Sequence, residues 1–151
     1  MNDYILDNEL GDAADYPLAS LGKRFANYVV DYVAALVTTM GIFLLIFVVS
    51  DSTGNAMLES DGGIMLNIVA IAAFLSYYIV FETFANGKTL GKLLTKTRAV
   101  KTDRSVMTAG DVFKRSLSRM VPFEPFSFFF DSNARGWHDK WSDTVVVDES
   151  N

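Results

Sequence analysis

The sequence predicts an α-helical membrane protein with two transmembrane helices, over about residues 25–49 and 64–84. Three observations carry this. Two long apolar runs stand in a chain that is half apolar overall. All 13 lysines and arginines lie outside those runs and outside the loop between them. The C-terminal half changes character, with glycine-bearing turns, prolines and short charged elements.

The first run, Phe25 to Val49, holds a single charge, Asp31. At ~1.5 Å rise per residue it reaches about 37 Å, enough to cross a hydrocarbon core of ~30 Å with some tilt. The second, Ile64 to Phe84, has one acid, Glu82, close to its end. The loop over 51–63 carries Asp51, Glu59 and Asp61 and no base, whereas Lys23 and Arg24 precede the first run and Lys88, Lys92, Lys96 and Arg98 follow the second. The positive-inside rule then places both termini in the cytoplasm.

Ahead of the first run, residues 1–17 carry Asp3, Asp7, Glu9, Asp12 and Asp15 without a basic residue. This is an acidic, flexible N-terminal tail and not a secretory signal, which needs a basic start. Residues 18–148 form the membrane domain. After the second run, a glycine-bearing turn leads to a short amphipathic helix from Thr89, then a strand over 97–101. A second cytoplasmic amphipathic helix follows, with Thr108 as N-cap and Asp111 in its first turn. Its Lys114, Arg115 and Arg119 suit an anionic bilayer surface.

Residues 121–130, "VPFEPFSFFF", are too few to span and are broken by Pro122 and Pro125. Their phenylalanines call for burial, in a re-entrant or interfacial element packed on the spans. A last strand over 144–148 pairs with 97–101, because an isolated strand leaves its backbone groups unsatisfied.

Composition excludes several functions. There are no cysteines and one histidine, His138, so thiolate and common zinc sites are out, and no metal or cofactor is expected. A net charge of -5 argues against nucleic acid as a partner. Gly87-Lys88-Thr89 resembles the end of a phosphate loop, but the glycine required five residues earlier is Glu82. A turn and a close backbone approach explain Gly87 and Gly91 better. His138 and Asp139 adjoin without a marked nucleophile, so an enzyme is not expected. Trp137 and Trp141 suit interfacial anchors.

Asp31 is the informative residue. An unpaired acid in mid-span costs ~2.5–3.5 kcal/mol. Arg24 lies on the same helical face about two turns away, ~10.5 Å, with Asn27 between them and Thr38 further along. Such a stripe should face protein or a wet cavity. In one reading Asp31 pairs with a base from the segment after the spans and fixes the fold. In the other it binds a cation or proton, with Asn27, Thr38 and Asn67 as neutral ligands and Tyr78 and Glu82 lining the same mouth.

Four blocks, "GKRFANYVVD", "NGKTLGKLLTKTRAV", "RSLSR" and "RGWHDKWSDTVVV", together resemble the RDD family of small bacterial membrane proteins. The resemblance assigns Arg24, Asp31 and Asp139 to the arginine and two aspartates of its name. It implies a protein of the bacterial cytoplasmic (inner) membrane for which transport of ions or another ligand has been suggested. Many members have a third apolar span where this chain has 121–130, so the closing motif is expected to return under the first span, bringing Asp139 to Arg24. Two functions follow as expectations. One is a transport or ion-coupling protein using an intramembrane Arg/Asp cluster; two spans enclose no pathway, so it needs a homo-oligomer or another membrane protein. The other is a non-catalytic scaffold or accessory subunit of a larger membrane complex, in which the cluster is structural and the aromatic face docks another protein.

Overall fold

The structure, a computed structural model, describes residues 17–53, 62–103, 105, 107–130 and 135–150. The acidic tail before Pro17 and most of the 51–63 loop lie outside the described residues. Two long helices, α1 (Leu21–Thr53) and α2 (Gly62–Phe84), lead into a cap of short elements. These are α3 (Leu90–Thr95), β1 (Thr97–Lys101), α4 (Ala109–Ser118), a 3-10 helix (Glu124–Phe130), α5 (Trp137–Trp141) and β2 (Thr144–Asp148).

Within α1 and α2, Leu21–Val49 and Gly63–Phe84 are long and apolar enough to cross a membrane. Their most apolar windows bury only 6% and 22% of their residues inside the chain. A core helix of a water-soluble domain would be covered, so these surfaces need an apolar environment from outside. The helices meet through Ala35, fully buried against Tyr77 and Tyr78, with Phe74 and Phe81 packed around them. A small residue on α1 lets the tyrosines of α2 approach closely.

β1 and β2 pair antiparallel, from Thr97 opposite Asp148 to Lys101 opposite Thr144. The chain just before α1 joins the free edge of β2: Ala19 N donates to Val146 O (2.9 Å), and Asp148 N donates to Pro17 O (2.8 Å). The start of α1 is thereby tied to the last strand. Lys23 reinforces the tie through Asp148 (2.6 Å).

The Thr108 hydroxyl accepts from Asp111 N, and the Asp111 carboxylate accepts from Thr108 N, a capping box that starts α4. Two expectations need correction. Arg115 and Arg119 do not lie on a bilayer surface. Arg115 is fully buried and the Arg119 side chain is 11% exposed, both turned inward onto the Glu82 carboxylate. Four phenylalanines of 121–130 are not packed away within the chain either: Phe123 is 77%, Phe126 54%, Phe129 45% and Phe130 89% exposed. Glu124 and Ser127 take the inner positions of that stretch, which leaves these four rings outside.

Candidate functional site

The site lies where the cap meets α1 and α2, and it has two parts. The first is built on Asp31. Its Oδ1 accepts from the Tyr77 hydroxyl (2.8 Å) and from Gly91 N (2.8 Å), and its Oδ2 accepts from the Thr89 hydroxyl (2.5 Å). Leu90 N donates in turn to the Tyr77 oxygen (3.3 Å). Thr89 is the N-cap of α3, yet its hydroxyl caps nothing in its own helix, being given to Asp31. Asp31 therefore caps α3 from another helix, placing a carboxylate at the otherwise orphan Gly91 N–H. The sequence allowed a basic partner for Asp31; the structure gives it three neutral donors, and among the described residues no cation within ion-pair distance.

Two glycines make this possible. Gly87 has φ +82 and turns the chain between α2 and α3. A Cβ on Gly91 would sit 2.6 Å from Asn27 O and 2.8 Å from Asn27 Cα, so only glycine lets α3 lie this close on α1. Beside it the Asn27 amide hydrogen-bonds Thr95 (2.5 Å) and Thr97 (2.9 Å). Gly91→Ala should lower the thermal midpoint of the detergent-solubilised protein through overpacking of ~1–3 kcal/mol. Gly22→Ala, whose Cβ meets nothing within 4 Å, serves as the control and should leave it nearly unchanged.

The second part is a continuous chain of buried ion pairs. Glu82, 1% exposed, is bound by Lys92 (2.7 Å), Arg119 (2.8 Å) and Arg115 (3.0 Å). Arg115 reaches on to Asp139 (2.7 Å) and to the Thr144 hydroxyl, and the other oxygen of Asp139 holds Arg24 (2.7 Å). Arg119 also lies over the Tyr78 ring, 4.5 Å from its centroid. The His138 ring contacts Asp139 at 3.3 Å and bonds Glu124.

Burial lowers the Lys92 pKa to about 8 despite the Glu82 carboxylate beside it. For Asp139, burial works upward, but His138, Arg24 and Arg115 outweigh it and hold the carboxyl well below the usual range. Arg115 moves the other way: against the downward pull of burial, Glu82 and Asp139 raise its pKa.

The structure thus brings Arg24 to Asp139 and puts Asp31 in a separate cluster. Asn27 belongs to the Asp31 part, and Glu82 and Tyr78 to the ion-pair part. Thr38 and Asn67 join neither. Thr38 bonds Ala34 O (2.9 Å) and the exposed Asn67 bonds Gly63 O (2.7 Å), each within its own helix and further along it than the cap reaches. Sequence reasoning missed Tyr77, Thr89, Lys92, Arg115 and Arg119 as site members. The signal available for Arg115 and Arg119 was their i, i+4 spacing on α4, opposite an acid at the end of a span that could not stay unpaired.

Fold and site define a hairpin of two apolar, span-length helices, closed at one end by a cap that buried ion pairs hold in place. A model of the RDD family matches residues 18–143, and the chain belongs to the RDD family. Family and apolar helices together suggest a membrane protein. Comparisons with curated proteins and with solved structures gave no match.

Proposed function

We propose that this is an integral protein of the bacterial cytoplasmic membrane, with both termini cytoplasmic, acting as a non-catalytic scaffold or accessory subunit of a larger membrane complex. The Arg24, Asp31 and Asp139 signature is, on this reading, its structural lock. The supporting observation is saturation. Asp31 is filled by three neutral donors, and Asp139 binds two guanidinium groups. Carboxylates so occupied are poor ligands for a passing cation. The Ser142 hydroxyl donates to the His138 carbonyl rather than meeting its ring, so these two residues do not form a nucleophile–base pair.

One observation favours the rival, transport or ion coupling. A cavity of about 90 Å³ lies between the helices, lined by Asp31, Tyr28, Tyr78 and Arg119 among others.

Two Asp31 variants separate the readings. Asp31→Asn keeps an acceptor for Tyr77 and Gly91 and places an amide against Thr89, so folding should survive. Asp31→Ala strands three buried donors at ~1–3 kcal/mol each and should unfold the cap, read as protease sensitivity. Loss of cation or proton flux in vesicles with well-folded Asp31→Asn would sink the structural reading. The accessory role is tested by the particle extracted gently from native membranes. A partner at fixed stoichiometry is expected, and a bare homo-oligomer would count against it.

A further inference from the structure

A 3-10 helix has three residues per turn, so positions i and i+3 stack in one row. In the Glu124–Phe130 segment this sets Glu124 with Ser127 and Phe126 with Phe129. Glu124 and Ser127 share a row that faces the cap and are 3% and 6% exposed. Glu124 bonds His138, and Ser127 Oγ accepts from Trp137 N (2.9 Å). The neighbouring row, Phe126 and Phe129, points outward at 54% and 45% exposure; Phe123, just before the helix at φ +67, is 77% exposed, and Phe130, at the helix end one turn past Ser127, is 89% exposed. Glu124 is therefore turned inward, and the exposed side of the segment carries phenylalanine.

We infer that this ridge is a third membrane contact, a monotopic wedge seated in the headgroup–acyl boundary of the leaflet next to the cap. The occupant of the surface is lipid. The inference rests on the membrane reading above. Continuity with α1 carries it: the Phe129 ring lies 6.2 Å from that of Phe25. Phe25 begins an exposed apolar row that climbs α1 through Val29, Val33 and Leu36. The ridge stands at the foot of that row, where a helix surface bound for hydrocarbon starts. The exposed side of α4 adds Phe113 and Leu117 beside exposed Lys114, apolar groups with an adjacent cation as at an anionic bilayer surface. Trp137 and Trp141, stacked at 5.9 Å and partly exposed, are the residue type that prefers this depth.

The chain has no cysteine, so single-site labelling needs no background removal. Nitroxides are placed on Phe126→Cys, Phe130→Cys, Val37→Cys and Ser105→Cys in the full chain. Each is reconstituted in vesicles of phosphatidylethanolamine and phosphatidylglycerol, and collisions with oxygen and with a water-soluble nickel chelate are measured. The ridge labels should favour oxygen over nickel, by less than Val37 and in contrast to the exposed loop site Ser105. Nickel access equal to that at Ser105 would overturn the inference. So would low access to both reagents, which would point to coverage by a second copy or another protein. If Val37 itself is open to nickel, the membrane reading fails first and takes the wedge with it.

Discussion

Glu82→Gln is expected to unfold the cap. Removing one partner of a buried pair costs about 3–5 kcal/mol, because the charge left behind keeps its desolvation penalty. Glu82 serves three cations at once, Lys92, Arg115 and Arg119. Without it, Asp139 is the remaining carboxylate in the chain of ion pairs, facing Arg24 and Arg115. Lys92 could shed its proton, its pKa already being drawn down to about 8 by burial. The two arginines cannot, since guanidinium stays charged. The measurement is thermal unfolding in mild detergent, with protease sensitivity at the α3 and α4 junctions as a local readout. Lys92→Met is the informative companion: Glu82 would keep two guanidinium groups, so the loss should be small. A Glu82→Gln protein as stable as Lys92→Met would show that the cluster does not hold the cap.

Much of the fold was legible because local chemistry and tertiary need agree. The antiparallel pairing of 97–101 with 144–148 follows from two short strands, each requiring a partner. The Thr108 cap follows from hydroxyl and carboxylate spacing, whereas the meeting of Arg24 with Asp139 is an expectation of the family resemblance and not of local chemistry. What stayed hidden depends on direction across the cap. Arg115 and Arg119 sit on an amphipathic helix, and amphipathicity does not say whether its charged row faces water or a buried acid. Asp31 reads as a carboxylate in search of a cation, since nothing in one dimension reveals that α3 begins against it and presents the Gly91 N–H and the Thr89 hydroxyl. Phe126 and Phe129 look like core by composition. Only the three-residue turn, with Glu124 and Ser127 taking the inner row, puts them outside.

Asp139→Asn should have the second-largest effect and leave a distinct mark on pH dependence. The carboxyl is fully buried, and although burial works upward, His138, Arg24 and Arg115 hold it well below the ordinary range of ~3.9. A depressed folded-state value means that its stabilisation is complete above the unfolded value and is lost as pH falls from there toward the folded one. Wild-type stability should therefore be carried by Asp139 at neutral pH and drop steeply below about pH 4. Glu124, lowered by His138 and Arg119 against the effect of burial, contributes to the same acid limb. In Asp139→Asn, Arg24 and Arg115 lose their shared anion, and stability at pH 7 should fall by about 3–5 kcal/mol. The acid limb should become shallower, retaining the Glu124 part. Chemical denaturation in detergent from pH 7 to pH 3 measures both. A variant that loses stability at neutral pH yet keeps the full wild-type acid slope would mean that some other carboxylate governs acid unfolding, and that Asp139 does not lock the cap by its charge.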